Sequence, residues 1–181
     1  MTVISTAEIF RVRAGHEWAL IALDDVTGMI AIESSYGSFN YIWPRQHRSQ
    51  PLGEFVTTCD FDYFMGKTRG QRAREYDEDS TRRAIKDAIL LARRDQCSTK
   101  AQARDAWDEL ENIEEGLPRD LLAHEIYTSS AILECIGHDD WWHVIQERYT
   151  PECKWFWKTI WPAFTVAYWC RDGLESPLLA I

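Results

Sequence analysis

The chain has 181 residues, with 20 Lys+Arg against 29 Asp+Glu and 45% hydrophobic residues. This length suffices for one domain with a sizeable core or for two small domains. The apolar and charged fractions exclude disordered, collagen-like and coiled-coil proteins. The formal net charge of −9 argues against a dedicated nucleic-acid binder, whose domain is usually basic.

The first part of the chain, residues 8–43, predicts four strands. From Phe10 to Ala14 apolar and polar side chains alternate, which is the period of a half-buried strand. The apolar run 18–23 predicts a second strand that is covered on both faces. Two more strands follow short turns that contain glycine. The last of them places three aromatic residues on one face: Phe39, Tyr41 and Trp43.

Beyond Pro51 the apolar spacing becomes helical. Residues 55–66 predict one helix with Gly66 as its stop. Pro162 should kink or divide the last helix of the chain. The N-terminal signals of the later helices are Ser80 or Thr81, Ser98 or Thr99, Pro118 for a helix to about Gly137, and Thr150-Pro151.

These patterns predict an α+β fold, in which a four-stranded antiparallel meander is followed by a helical C-terminal region. We expect a sheet region with its following helix over residues 1–68 and a helical region over residues 69–181, integrated into one globular unit. The aromatic C-terminal helix should pack on the sheet or on its neighbour.

Cysteine usage and the apolar stretches predict a cytoplasmic protein. The five cysteines are widely spaced and form no C-x-x-C pattern, which favours a reducing compartment. The first eight residues lack the basic and apolar regions of a signal peptide. The most apolar stretch, 155–170, contains Lys158 and Pro162 and is too short to span a bilayer.

Charge is distributed unevenly along the chain. Residues 69–104 contain ten basic and six acidic residues, whereas residues 105–125 contain eight acidic residues and Arg119 alone. Two explanations are open. Neighbouring helices could pair opposite charges in solvent, or the acidic stripe could dock onto a basic partner surface and speed association.

Three patterns could carry chemistry, and each has a simpler explanation. Residues 66–68, Gly-Lys-Thr, match the end of a phosphate-binding loop, but Phe61 stands where its first glycine is needed. Asp60 and Asp62 could hold a divalent metal, but their side chains diverge on a helix. Zinc-ligand residue types also occur close together, at spacings wider than in a structural zinc site. They are Cys135, His138, Asp139, Asp140, His143 and Cys153, and whether they bind a metal stays open.

The nine tryptophans are the most unusual feature of the composition. Trp141 and Trp142 cannot both lie on one face of a helix, because successive residues are about 100° apart. The same holds for residues 155–157, Trp-Phe-Trp. One side of each cluster should therefore face a second surface, which could belong to the core of this chain or to a partner.

An aromatic strand followed by a helix resembles a group of small uncharacterised proteins from bacteriophages and prophages. The strand has the pattern S-x-Y-G-x-F-x-Y-x-W over residues 34–43, and the helix ends in D-Y-x-x-x-K at residues 62–67. The resemblance covers about residues 16–70. It implies an accessory protein in the bacterial host cytoplasm, of a class whose members bind and inhibit host machinery, including CRISPR-type complexes. No functional residue can be transferred from it.

We therefore predict a protein that acts by binding and is not an enzyme, with no catalytic residue, metal or cofactor. The expected partner is a bacterial protein or ribonucleoprotein complex with a basic surface; neither a membrane nor direct nucleic-acid binding is expected, and a homodimer is left open. The residues predicted to contact the partner are Asp108, Glu111, Glu114, Glu115, Trp141 and Trp142.

Two alternatives come from other classes of protein. A metal-dependent hydrolase or nuclease would use Asp60, Asp62 and residues around 138–143. A nucleic-acid-binding accessory protein would use a set of four arginines: Arg82, Arg83, Arg93 and Arg94.

Overall fold

The computed structural model describes residues 6–47, 49–139 and 141–171, and for His47 the backbone only. Its four-stranded antiparallel sheet has the order β1-β2-β3-β4: β1 Glu8–Ala14, β2 Glu17–Asp24, β3 Met29–Ser34 and β4 Gly37–Ile42. The α-helices that follow are α1 Leu52–Thr58, α2 Phe61–Thr68, α3 Glu78–Arg94, α4 Lys100–Asn112, α5 Arg119–Thr128, α6 Ser130–Ile136, α7 Pro151–Trp155 and α8 Trp161–Cys170. Two short strands, β5 Arg74–Tyr76 and β6 Glu147–Tyr149, pair with each other. The predicted α+β fold is confirmed. Most of the N-terminal segment assessed for a signal peptide, residues 1–5, lies outside the described residues.

The chain forms two compact units. Unit 1 consists of residues 1–73 and 149–181, and unit 2 of residues 74–148. Each has its own cluster of buried apolar side chains. This division separates groups of residues that contact one another. The predicted boundary at residue 68 separates the sheet region from the helical region instead, and it stays a prediction.

Two of the three turns of the meander, β2–β3 and β3–β4, lie where glycine and short polar residues predicted them. The buried Asp24 carboxylate accepts hydrogen bonds from the Val26 N–H at 3.0 Å and the Thr27 hydroxyl at 2.8 Å. Gly28 then adopts a φ of +77°. At the next turn Gly37 has a φ of +92°. Such left-handed conformations are accessible to glycine at little cost, so these two positions close the hairpins.

In unit 1 the C-terminal helices pack on the sheet, and this placement was predicted as one of two options. Phe10 of β1 meets Phe164 of α8 edge-on, with ring centroids 5.4 Å apart. Phe39 of β4 stacks on Phe156 at 4.0 Å. Each buried aromatic side chain contributes roughly 1.5–3 kcal/mol through removal of its apolar surface from water.

The last helical segment begins and changes type at the predicted prolines. The Thr150 side chain accepts a hydrogen bond from the Cys153 N–H at 3.4 Å, and Pro151 occupies the first turn of α7. Residues Phe156–Ile160 form a π-helical turn, and α8 begins at Trp161 with Pro162 in its first turn. Proline has no N–H for the preceding α-helical turn and its ring displaces the carbonyl four residues earlier. The predicted division is confirmed.

The prediction that β2 is covered on both faces is wrong. Trp18 and Leu20 are 45% and 41% exposed, whereas Ala19 and Ile21 between them are buried. The strand therefore has one buried face and one exposed face that carries large apolar side chains. The alternation of buried and exposed positions shows in a sequence only when the exposed positions are polar. A strand with apolar residues on its exposed face therefore has the same sequence pattern as a fully buried strand.

The single helix predicted over residues 55–66 is two helices in the structure. α1 ends at Thr58, and the Asp60 carboxylate caps α2 by accepting a hydrogen bond from the Tyr63 N–H at 2.7 Å. Gly66 does not stop this helix, which continues to Thr68. An aspartate in extended conformation supplies the hydrogen-bond acceptor that the first turn of a new helix needs. The predicted helix is therefore interrupted at Asp60.

Two other helix starts also differ from the prediction, while Thr99 is confirmed. Asp77 caps α3 by accepting from the Ser80 N–H at 3.1 Å, so neither Ser80 nor Thr81 is the cap. Pro118 precedes α5 instead of lying within it, and Ser129 starts a separate helix α6 by capping it. At α4 the reciprocal bonds between Thr99 and Gln102 form a capping box.

Among the described residues no helix has the length and apolarity needed to cross a membrane.

Candidate functional site

Part of the acidic stripe in unit 2 is neutralised by α3. Lys86 contacts the Glu111 carboxylate at 2.6 Å. The Arg82 guanidinium pairs with Glu78 at 2.8 Å and donates to the backbone carbonyls of Leu110 and Ile113 at the end of α4. The Lys86–Glu111 pair follows the first explanation of the charge pattern, in which neighbouring helices pair opposite charges, whereas Arg82 pairs with a carboxylate of its own helix.

The four predicted acidic contact residues divide into two groups. Asp108 pairs with Arg104 of its own helix at 3.0 Å, and Glu111 pairs with Lys86. The carboxylates of Glu114 and Glu115 are exposed and make no hydrogen bond or ion pair within the described part of the chain. Of the predicted set, Glu114 and Glu115 are therefore the carboxylates that are available to a partner.

A cleft of about 480 Å³ lies where α4 and α5 end, and we call it the acidic cleft. Three carboxylates line it, and the Glu109 carboxylate accepts a hydrogen bond from the Ser129 hydroxyl. The C-terminus of α5 carries a partial negative charge that adds to the charge of the carboxylates, whereas at α4 the Arg82 guanidinium binds the terminal carbonyls. The lining residues are Glu109, Asn112, Ile113, Glu114, Leu117, Glu125, Thr128 and Ser129.

The acidic cleft fits a cationic group. Glu114 and Glu125 have exposed carboxylates with no hydrogen bond or ion pair among the described residues. A lysine ammonium or an arginine guanidinium would satisfy them, and arginine does so with paired hydrogen bonds. Glu109 and Glu125 were not among the predicted contact residues. Glu109 and Glu125 are sixteen residues apart in the sequence. Helical periodicity identifies neighbours only three or four residues apart, so it could not predict that these two side chains line one cleft.

The two adjacent tryptophans point to different surroundings, as predicted. Trp141 is half-buried and packs against Tyr127, with ring centroids 5.8 Å apart. Trp142 is 64% exposed. They lie in the 3₁₀ turn Trp141–Val144, where successive side chains also diverge. Trp142 is therefore the predicted aromatic contact residue that is available to a partner, whereas Trp141 belongs to the core of unit 2.

Three of the residues predicted for a metal-dependent enzyme, Asp60, Cys135 and Cys153, serve the fold. Asp60 caps α2, and residues 66–68 lie inside that helix, so they form no phosphate-binding loop. Cys135 is buried in the core of unit 2, and Cys153 is buried in the core of unit 1. Asp140 lies outside the described residues. Among those described, no group of three or more His, Cys, Asp or Glu residues is placed to hold a metal ion.

The four arginines of the nucleic-acid alternative have different roles. Arg82 is largely buried and is held by Glu78 and the α4 carbonyls. Arg94 pairs with Asp95 at 3.2 Å on the surface. Arg83 and Arg93 are exposed, and neither forms a hydrogen bond or ion pair within the part of the chain that the structure describes. The set therefore supplies fewer free charges than its sequence suggests.

Among known protein families, the chain matches the family model phiTE_072, described as a phage family, over residues 1–167. The chain belongs to this phage family. No curated protein and no solved structure matches it. The phage origin that the aromatic strand and its following helix suggested is thereby confirmed, over a longer stretch than residues 16–70.

The five cysteines of this phage protein are free thiols and differ in reactivity. Burial raises the pKa of the Cys59 thiol to about 11, and the adjacent Asp60 carboxylate adds to the increase. Burial also raises the pKa of the Cys135 thiol, and the Glu134 charge acts in the same direction. Cys153 is fully buried. Because the thiolate is the nucleophile, Cys59 and Cys135 should react slowly, and burial keeps a reagent away from Cys153.

At pH 8 we expect Ellman's reagent to modify two thiols rapidly, Cys97 and Cys170, which are exposed. With a pKa of about 11, about one Cys59 side chain in a thousand is a thiolate at this pH. The measurement is the amplitude of the fast absorbance change on the folded protein. A Cys97→Ser/Cys170→Ser variant should lose that phase. In denaturant it should titrate three thiols, two fewer than the wild type. A fast phase of three or more thiols would contradict the assignment.

Proposed function

We propose that this phage protein acts by binding a host protein and not by catalysis, and that its target is a CRISPR-type defence complex with a basic surface. The observation that carries the proposal is the acidic cleft in unit 2, with two carboxylates that have no partner among the described residues. Membership of a phage family supports a role that benefits the phage during infection. The proposed mechanism needs no cofactor or metal.

The acidic cleft would receive a lysine or arginine of the target. Defence complexes of this type hold RNA and DNA in grooves lined by such cations, because nucleic-acid phosphates are neutralised by Lys and Arg. An acidic protein surface placed on those cations competes with the nucleic acid for them. The remaining exposed carboxylates of residues 105–125 would contribute to the rate of association through long-range attraction.

Trp142 would act as the aromatic anchor of the interface. Its 64% exposed side chain lies in the same unit as the acidic cleft. Tryptophan is enriched among the residues that dominate binding energy, because its large ring buries much apolar surface at low cost in side-chain entropy. In the free protein the apolar surface of this ring is in contact with water, which is unfavourable, and partner binding would remove that contact.

The test is phage plating on immune bacteria that express the protein. Across a panel of strains with different CRISPR-type systems, we expect the wild type to restore plating on at least one strain. A Glu114→Lys/Glu125→Lys variant should lose this effect, because two cleft carboxylates become cations that repel the target. Its affinity for the purified complex should fall by about a hundredfold, since a repulsive charge in an interface costs several kcal/mol.

A matched variant separates the cleft from overall charge. Asp87→Lys/Asp139→Lys makes the same change in net charge within unit 2, at exposed residues outside the acidic cleft. It should keep plating activity and bind within about threefold of the wild type, since rim charges act weakly. Equal loss in both variants would contradict a role for the cleft, and failure of the wild type on every strain would overturn the proposed target.

A further inference from the structure

A second surface of unit 2 has the opposite charge from the acidic cleft. α3 and α4 form an antiparallel pair, and a groove of about 410 Å³ runs between them near the loop that joins them. We call it the α3–α4 groove. Its apolar floor consists of Ile89, Leu90, Ala103 and Trp107, and three cations flank it: Arg93, Lys100 and Arg104.

The cations of the groove also reach a neighbouring polar cavity. Arg93 and Lys100 line both the apolar groove and a cavity of about 510 Å³ around the loop from Gln96 to Thr99. The two positive charges therefore stand at the junction of an apolar half and a polar half. An occupant of the groove can place apolar groups on Trp107 while its anionic groups meet Arg93 and Lys100.

Neither of these two cations is neutralised by the rest of the described chain. Arg93 and Lys100 are exposed and form no hydrogen bond or ion pair among the residues that the structure describes, whereas Arg104 pairs with Asp108 at 3.0 Å. In a protein with a net charge of −9, unpaired neighbouring cations are a local reversal of sign. Such a reversal attracts an acidic partner at short range.

The apolar half of the groove is open to solvent at Leu90, which is 56% exposed. On the other side of the floor, the Lys86 ammonium lies 5.2 Å from the centre of the Trp107 ring. A groove between two helices with a leucine and a tryptophan accepts apolar side chains spaced three or four residues apart on a third helix.

We propose that the α3–α4 groove binds an amphipathic helix with acidic flanks from a partner protein. Leucine, isoleucine or methionine side chains of that helix would cover Leu90 and Trp107. Its carboxylates, one turn away, would pair with Arg93 and Lys100. A nucleic-acid strand would satisfy the cations and can stack a base on Trp107, but it has no aliphatic side chain to cover Leu90, so the composition of the groove disfavours it. This surface is separate from the acidic cleft and goes beyond the proposed function.

The experiment uses the full chain and a display library of 16-residue peptides. Leu, Ile or Met is fixed at positions spaced three and four apart, and the other positions are random. Selection is expected to enrich Asp and Glu beside the fixed positions and to give helical peptides. Binders without acidic enrichment, or no binder above background, would overturn the proposal.

Variants then locate the site with the best peptide, labelled with fluorescein, in anisotropy titrations. Arg93→Glu/Lys100→Glu should weaken binding by about tenfold or more, and so should Leu90→Ser, which removes the exposed apolar side chain and keeps both cations. The matched control Arg83→Glu/Arg94→Glu makes the same charge change outside the groove and should alter affinity by less than about twofold. Equal weakening by the control overturns the assignment, as does displacement of the peptide by a single-stranded oligonucleotide with the same affinity. Since the acidic cleft is unchanged in all these variants, failure here leaves the phage-plating test unaffected.

Discussion

Gly28→Ala is expected to destabilise unit 1 by more than about 4 kcal/mol, a large share of the stability of an ordinary domain. A Cβ atom at this position would lie 1.8 Å from the Trp43 carbonyl oxygen, and Gly28 has a φ of +77°. Because the obstructing atom is backbone, no side-chain rotation relieves the contact. The β3 and β4 ends would have to separate, and the hydrogen bond from the Trp43 N–H to the Gly28 carbonyl, 2.8 Å long, would be lost.

Gly15→Ala is the matched control for this prediction. Gly15 has a φ of +65°, similar to that of Gly28, but nothing lies within 4 Å of its added Cβ. It should lose about 1–2 kcal/mol, the conformational cost of a left-handed alanine. Urea unfolding followed by far-UV circular dichroism measures both losses. If both variants lose the same stability, the left-handed backbone conformation, and not the contact with Trp43, accounts for the effect of Gly28→Ala.

The meander was predictable because its signals are local. Alternation in β1, two turns that contain glycine and an aromatic face on β4 each involve residues close in sequence. The covering of β2 was not predictable, because Trp18 and Leu20 are apolar although they face solvent. Whether a face of a strand is buried depends on which other elements pack on it, and the residues of those elements are distant in the sequence.

Helix starts were predictable where one residue offers a cap and not where several do. Thr99 has Gln102 three residues later, which is the sequence pattern of a capping box. Residues 77–81 read Asp-Glu-Asp-Ser-Thr, so four oxygen-bearing side chains besides Asp77 compete for the start of α3. Thr81 is not the cap because it lies inside α3, where its N–H donates to the Asp77 carbonyl at 3.0 Å. Its hydroxyl donates to the Asp77 carbonyl and accepts from the Gln146 N–H, a residue 65 positions away.

The acidic segment was predictable as a charge pattern, whereas the acidic cleft was not. Composition identifies residues 105–125 as negative, but it cannot separate Glu111, which Lys86 neutralises, from Glu114, which has no partner among the described residues. That difference depends on where α4 ends and which of its sides faces α3, because Glu111 lies in the last turn of α4 and Glu114 lies beyond its end. Likewise Glu109 and Glu125 reach one cleft only because the C-terminal turns of α4 and α5 lie close together, where Ser129 donates to Glu109.

Gly53→Ala and Gly66→Ala should change the stability of unit 1 in opposite directions. Both glycines lie within α-helices, where alanine is intrinsically favoured by roughly 1 kcal/mol. An added Cβ at Gly66 meets nothing within 4 Å, so this variant should gain about 0.5–1 kcal/mol. At Gly53 the Cβ would lie 1.9 Å from a carbon of the Tyr168 ring, and overpacking should cost about 2–3 kcal/mol net.

Tyr168 cannot easily move away from that contact. Its ring is buried, lies 6.1 Å from that of Phe164 and has the Arg171 guanidinium 3.8 Å above it. If the ring is the cause of the loss, Gly53→Ala should cost little in a Tyr168→Ala background, where the space is already empty. Thermal unfolding of the two single variants and the double variant measures this coupling. Additive losses would place the cost of Gly53→Ala in the helix backbone and not in its packing against α8.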